Sequence, residues 1–170
     1  MSTLPLHPAF VHLPLGLAFA VPLVAIGLTL WHLRRRVPRG AFAILLGLQS
    51  LLVASGVAAM QLGERDEHRV ETIVAEQVIE AHEERAEVFL WAAGVVLAAS
   101  AALLFVPARL ALGLSAAVAV ATIGVAALGV RTGAAGGEIV YTHGGARAFA
   151  PAPVGVELAP ASLRADRDDD

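Results

Sequence analysis

The chain has 170 residues, of which 57% are hydrophobic, and a mean hydropathy of +0.71. That is too apolar for an ordinary soluble domain, and a net charge of −3 offers no basic surface for nucleic acid. With no cysteine, the chain can supply no disulfide, thiolate metal site, iron–sulfur ligand or covalent c-type haem attachment.

Four apolar segments follow in chain order, at about 9–33, 40–62, 88–108 and 110–130. Each is near the ~20 residues that cross a hydrocarbon core. The expected fold is an all-α, four-transmembrane-helix bundle, with a transmembrane domain over 1–148 and a disordered tail over 149–170. The residues before the first segment carry no Lys or Arg, and the segment ends in Arg34, Arg35 and Arg36. It therefore reads as a retained helix and not as a signal peptide. Pro8 suits a first helical turn, while Pro14 and Pro22 predict kinks. Trp31 and His32 close the helix as interfacial anchors.

The second segment carries Gln49 and Ser50 near mid-membrane, where an amide calls for an interhelical partner or a buried cofactor. Next comes the polar connection 63–87. It holds nine of the 15 acids and has no Gly or Pro from Glu64 to Ala93, so it predicts helical extensions with a turn near 64–76. The third segment carries Trp91 and joins the fourth through a turn short enough to force an antiparallel hairpin. In the fourth, Gly113, Ala117 and Ala121 suggest close helix packing. The glycines of RTGAAGGEIVYTHGG then predict the end of that helix, with EIVY in a structured Gly-rich loop or small hairpin over 131–148.

Charge sets the expected orientation. Arg34, Arg35, Arg36 and Arg39 follow the first span, and Arg109 lies in the other short loop on that face. Lys and Arg in short loops mark the cytoplasmic side. In a bacterial inner membrane both termini and the connection 63–87 are then periplasmic.

On that outer side fall five of the six histidines: His7, His12, His68, His82 and His143. Imidazole suits iron, copper, zinc and nickel, haem iron accepts axial histidines, and ionisable residues at membrane depth are functional suspects. His12 lies deepest. His68 and His82 are ~21 Å apart on a straight helix and share a ligand only if the chain turns between them. The first expectation is haem b or a metal in electron transfer, with His12 and either His82 or His143 on iron, His7 nearby, and Tyr141 and Glu138 in support. The partner would be a periplasmic redox protein or quinone. A second is copper or zinc held by His7, His12, His82 and His143 in a non-redox module. A third is a cofactor-free structural subunit of a membrane assembly, oligomeric or not, in which the histidines only make hydrogen bonds. No hydrolytic zinc motif, phosphate loop or Ser–His–Asp order supports soluble-type catalysis.

Two stretches, His7-Pro8-x3-His12-x-Pro14 and Gly136-Gly137-Glu138-Ile139-Val140-Tyr141-x-His143-Gly144, resemble an uncharacterised family of bacterial four-helix membrane proteins. That family opens on HP-x3-H-x-P, closes on GG-x-LVY-x-HG, and is at times fused to Rieske or cytochrome c modules. The resemblance covers roughly 5–146, with Ile139 where Leu is usual. It implies His7, His12 and His143 as matching positions, and His82 as a counterpart at the head of the third helix. The fusions imply redox company.

Overall fold

The computed structural model describes residues 5–35 and 37–150. Its helices are α1 (His7–Phe10), α2 (His12–Arg34), α3 (Arg39–Val70), α4 (Glu76–Ala102) and α5 (Ala108–Tyr141), followed by a 3-10 turn at Gly145–Phe149. No strand occurs among the described residues. Among the described residues four helices, counting α1 and α2 as one, are long and apolar enough to cross a membrane. The chain is an all-α four-helix bundle of multi-pass membrane type. Of the disordered tail expected over 149–170, Phe149 instead closes the 3-10 turn, and the residues beyond 150 lie outside the described residues.

Proline chemistry explains the one break within the first span. Pro14 has no N–H to give the Phe10 carbonyl four residues back, and α1 ends at Phe10. Val11 links the two helices, its N–H bonded to the His7 carbonyl at 3.0 Å. Pro22 is carried inside α2.

Each helix packs against its sequence neighbours, and α2 closes the ring against α5. Small and branched residues line the seam: Ala18, Val21 and Ala25 of α2; Leu45 and Leu52 of α3; Ala93 and Val96 of α4; Val118 and Val125 of α5. The opposite faces expose Leu23, Val95 and Val120, an arrangement that suits lipid and not water. Buried hydroxyls stay within their own helices. Ser55, Ser100 and Thr122 donate to the carbonyls of Leu52, Val96 and Ala119 at 3.0, 2.8 and 2.7 Å, as hydroxyls do where no water is present.

Three expectations are corrected. Gly113, Ala117 and Ala121 face outward; the buried seam of α5 runs through Ala111, Ser115, Val118, Thr122 and Val125. Gln49 is fully buried, yet neither amide atom has a hydrogen-bond partner, so the interhelical bond expected of it is not made. The third concerns the glycines after residue 130. They do not end α5, and Glu138–Tyr141 is helix, not a β run. Among the described residues only Gly144 has positive φ, at 70°, so the Gly-rich loop shrinks to the turn beyond Tyr141. The upstream glycines serve close approach. A Cβ on Gly129 would meet the Phe89 ring at 3.3 Å, and one on Gly136 would meet His82 at 3.2 Å.

The connection 63–87 folds as expected, by extending α3 and α4 beyond the apolar core. Its turn falls at 71–75, where the Ile73 and Val74 N–H groups bond to the Val70 carbonyl at 2.9 Å. Val74 is buried in that turn.

Candidate functional site

The helical extensions, α1 and the 3-10 turn enclose a cavity of about 600 Å³ at the end of the bundle that carries the N-terminus. That volume is ordinary for a ligand site. Its floor includes Met60, Ile79, Val140 and Phe149. Its polar lining consists of His7, His82 and the acids Glu64, Asp66, Glu67, Glu83 and Glu87. Among the described residues lining it, none is an arginine, and the chain contains no lysine.

His7 and His82 face each other here. Their ring centroids lie 6.3 Å apart, with the planes at 85°. Each ring sits on a glycine. His7 rests over Gly63 of α3, where a Cβ would come within 3.2 Å of Nδ1, and His82 rests over Gly136 of α5. His7 Nδ1 lies 2.7 Å from the Ala59 carbonyl oxygen. A carbonyl only accepts, so Nδ1 carries the proton and Nε2 presents a lone pair. This is the anchoring by a second partner that metal-bound imidazoles commonly show.

Two polar atoms of the lining are orphaned. His82 Nδ1 and Asp66 Oδ2 are buried and have no hydrogen-bond partner. Buried polar atoms without partners cost about 1–3 kcal/mol each, so their presence on one cavity calls for an explanation.

Titration follows the same electrostatics. Both groups concerned, His82 and Glu83, precede Val88, where the uncharged run of α4 begins. Burial pushes the His82 pKa down, and nearby His7 and Arg85 add to the shift against a hydrogen bond to the Thr132 backbone. Burial pushes the Glu83 pKa up, reinforced by Glu67, Glu64, Glu87 and Glu71. The cavity therefore disfavours protonated imidazole through loss of solvent and carries crowded carboxylates at its rim.

The other residues singled out from the sequence lie apart from this pair. His12 is exposed, with Nδ1 3.2 Å from the Ala9 carbonyl oxygen of its own turn. The step at Val11 places it away from His7, so depth along the sequence did not bring it inward. His143 follows α5 and approaches Glu138, Nε2 to Oε1, at 3.9 Å; neither residue lines the cavity. Tyr141 is 88% exposed. His68 is 97% exposed and stands 3.8 Å from Glu71. The four-imidazole cluster is thus not assembled, and among the described residues no three His, Cys, Asp or Glu side chains are grouped for metal binding.

Sequence reasoning missed Asp66, Gly63 and Gly136 as parts of the site. Asp66 was one acid among nine in its stretch. Gly136 read as a breaker because its partner His82 lies on another helix, and nothing in the sequence set Gly63 apart. No family model matches the chain, and neither curated proteins nor solved structures give a match.

Proposed function

We propose that this multi-pass protein binds a transition-metal cation, copper or zinc, at the histidine-bearing end of its bundle, with His7 and His82 as the imidazole donors. The observation that carries the reading is the pair of orphaned atoms, His82 Nδ1 and Asp66 Oδ2, on the same cavity as an imidazole whose free nitrogen is a lone pair. These three atoms want a cation or a donor, and among the described residues the lining holds no arginine to supply one. Imidazoles in line across one ion, as two-coordinate Cu(I) takes them, have centroids about 6 Å apart, whereas a tetrahedral zinc about 2 Å from each ring would draw them to about 5 Å. The observed spacing is 6.3 Å.

The Ala59 carbonyl holds the His7 ring in one tautomer, and Gly63 and Gly136 let both rings seat against neighbouring helices. Asp66 and the rim acids attract the cation and offset its charge. Two protein imidazoles leave an open site that water or an incoming ligand completes. A bound zinc would supply Lewis acidity and close the rim, and copper would also take up and release an electron. With copper, the electron partner is a carrier on the same side or a quinone; with zinc the module is non-redox. Haem b suits this lining less well, since its propionates are anions and the polar side chains around the cavity are carboxylates and imidazoles. The arginines at the far end of the bundle favour a bacterial inner-membrane orientation with that end cytoplasmic and the metal end periplasmic.

The test loads metal-free protein with Cu(I), Cu(II) or Zn(II), removes unbound ion and measures metal per chain by mass spectrometry. The wild type, His12→Ala and His143→Ala are expected to keep about one ion per chain, and His7→Ala and His82→Ala to lose it. Equal retention by all five proteins, or none by the wild type, overturns the reading. A Soret band after haem addition, without metal retention, replaces the ion with haem.

A further inference from the structure

The opposite end of the bundle carries a second cavity, of about 360 Å³, between the end of α2 and the turn that joins α4 to α5. His32, Arg39 and Arg109 supply its polar lining, and Phe42, Leu103 and Val106 part of its apolar wall. The Arg39 guanidinium crosses to this turn, donating from Nη2 to the Val106 carbonyl at 3.4 Å. His32 is fixed by the Val37 N–H, which donates to Nδ1 at 3.3 Å, and by edge contact with the Phe42 ring at 5.8 Å. Arg34 and Arg35 add charge nearby, whereas every acid among the described residues belongs to 64–87 or is Glu138, at the other end.

Depth and surroundings narrow the class of ligand. The cavity lies where the apolar helices end, which in a membrane-spanning bundle is the level of the headgroups. Leu33, Phe105 and Leu110, the chain neighbours of the lining residues His32, Val106 and Arg109, are exposed apolar side chains. A free anion would have no use for that apolar surface, but a phosphodiester with acyl chains would. Basic pockets between transmembrane helices recognise anionic headgroups in this way, and arginine suits phosphate through its planar fork of donors. The helices α3 and α5 also begin here without side-chain caps, which adds a favourable field for an anion.

We propose that the cavity lined by Arg39, Arg109 and His32 is a binding site for the phosphate headgroup of an anionic phospholipid. The site stands apart from the metal reading and shares no residue with it.

The full-length chain, purified in detergent, is mixed with equal amounts of phosphatidylglycerol and phosphatidylcholine, and retained lipid is read by native mass spectrometry. The wild type is expected to retain phosphatidylglycerol preferentially. Arg39→Gln and Arg109→Gln should each reduce that preference about fivefold. Arg34→Gln, which removes a charge outside the cavity lining, should leave most of it. Circular dichroism and a single elution peak check the fold of each variant. The wild type alone decides the matter if a variant does not fold, because equal retention of the two lipids overturns the proposal. An Arg34→Gln loss as large as that of Arg39→Gln reduces the effect to general charge and overturns it too. Displacement of lipid by inorganic phosphate, but not by chloride at equal ionic strength, assigns the site to free phosphate and overturns the lipid assignment.

Discussion

Gly136 and Gly137 are neighbours on α5, and substituting each by alanine separates two roles that a glycine can play. In a helix interior, alanine is favoured over glycine by about 1 kcal/mol. A Cβ on Gly137 meets nothing within 4 Å, so Gly137→Ala should realise most of that gain. At Gly136 the new methyl would stand 3.2 Å from His82 Cε1 and 3.7 Å from Nδ1. The ring must then shift by a few tenths of an ångström, and overpacking of this kind costs about 1–3 kcal/mol. That cost matches or exceeds the helical gain, so Gly136→Ala should be neutral or destabilising. The two variants should differ by about 1–3 kcal/mol, at about 2–4 °C per kcal/mol for a chain of this size. Thermal unfolding in detergent, followed by circular dichroism, reads the difference. Metal retention should fall in Gly136→Ala, because His82 moves, and hold in Gly137→Ala. Equal melting temperatures and equal retention would refute the seating of His82 on Gly136. A destabilised Gly137→Ala would refute the helix itself, since alanine is penalised at that position only if the chain bends there.

Three further expectations follow from the same geometry. Gln49→Met replaces a buried amide with no partners by an apolar side chain of similar length, and should raise stability by about 1–3 kcal/mol; a lower melting temperature would show that the amide is paired. Glu83 has a raised pKa in the folded chain, so its contribution is fully present below the ordinary value of 4.5 and is lost as pH rises through the folded pKa. In metal-free protein, Glu83→Gln should therefore melt higher than the wild type at neutral pH and alike below pH 4.5; an equal gain at both would assign the effect to packing. Because the chain has no cysteine, single-cysteine variants report topology directly. In intact spheroplasts an impermeant maleimide should label Glu71→Cys and not Arg35→Cys, and the reverse pattern would invert the proposed orientation.

The bundle was legible because its signal is collective. Four apolar runs of spanning length, two prolines early in the first and a very short third connection each carry meaning without knowledge of neighbours. The turn of the 63–87 connection was legible to within a few residues for the same reason: a Gly- and Pro-free polar run must be helix, and two helices of this length need one reversal. What failed was pairwise. Gly136 looks like a helix breaker until the His82 ring is found against it, 54 positions away in the chain. Gly113, Ala117 and Ala121 have the right spacing for a packed stripe, but the rotation of α5 is set by Phe89, Leu15 and Ala18 closing on Gly129.

The histidines show the same division. The five expected on one side do lie toward one end of the bundle, but sharing an end is a coarser property than sharing a face. His7 and His12 are five residues apart, and the missing N–H of Pro14 ends α1 between them. One imidazole turns inward to the Ala59 carbonyl; the other stays exposed on the outside of the bundle beside Ala9. At the far end of the chain, Gly136 is what admits the second imidazole. The two short stretches that look most motif-like, His7-Pro8 and Gly136-Gly137, therefore contribute to one arrangement. The first supplies a ring, and the second supplies the space in which its counterpart His82 sits. A substitution that preserves all six histidines but fills either glycine seat should thus cost this end of the molecule more than deleting the exposed imidazoles of His12, His68 or His143.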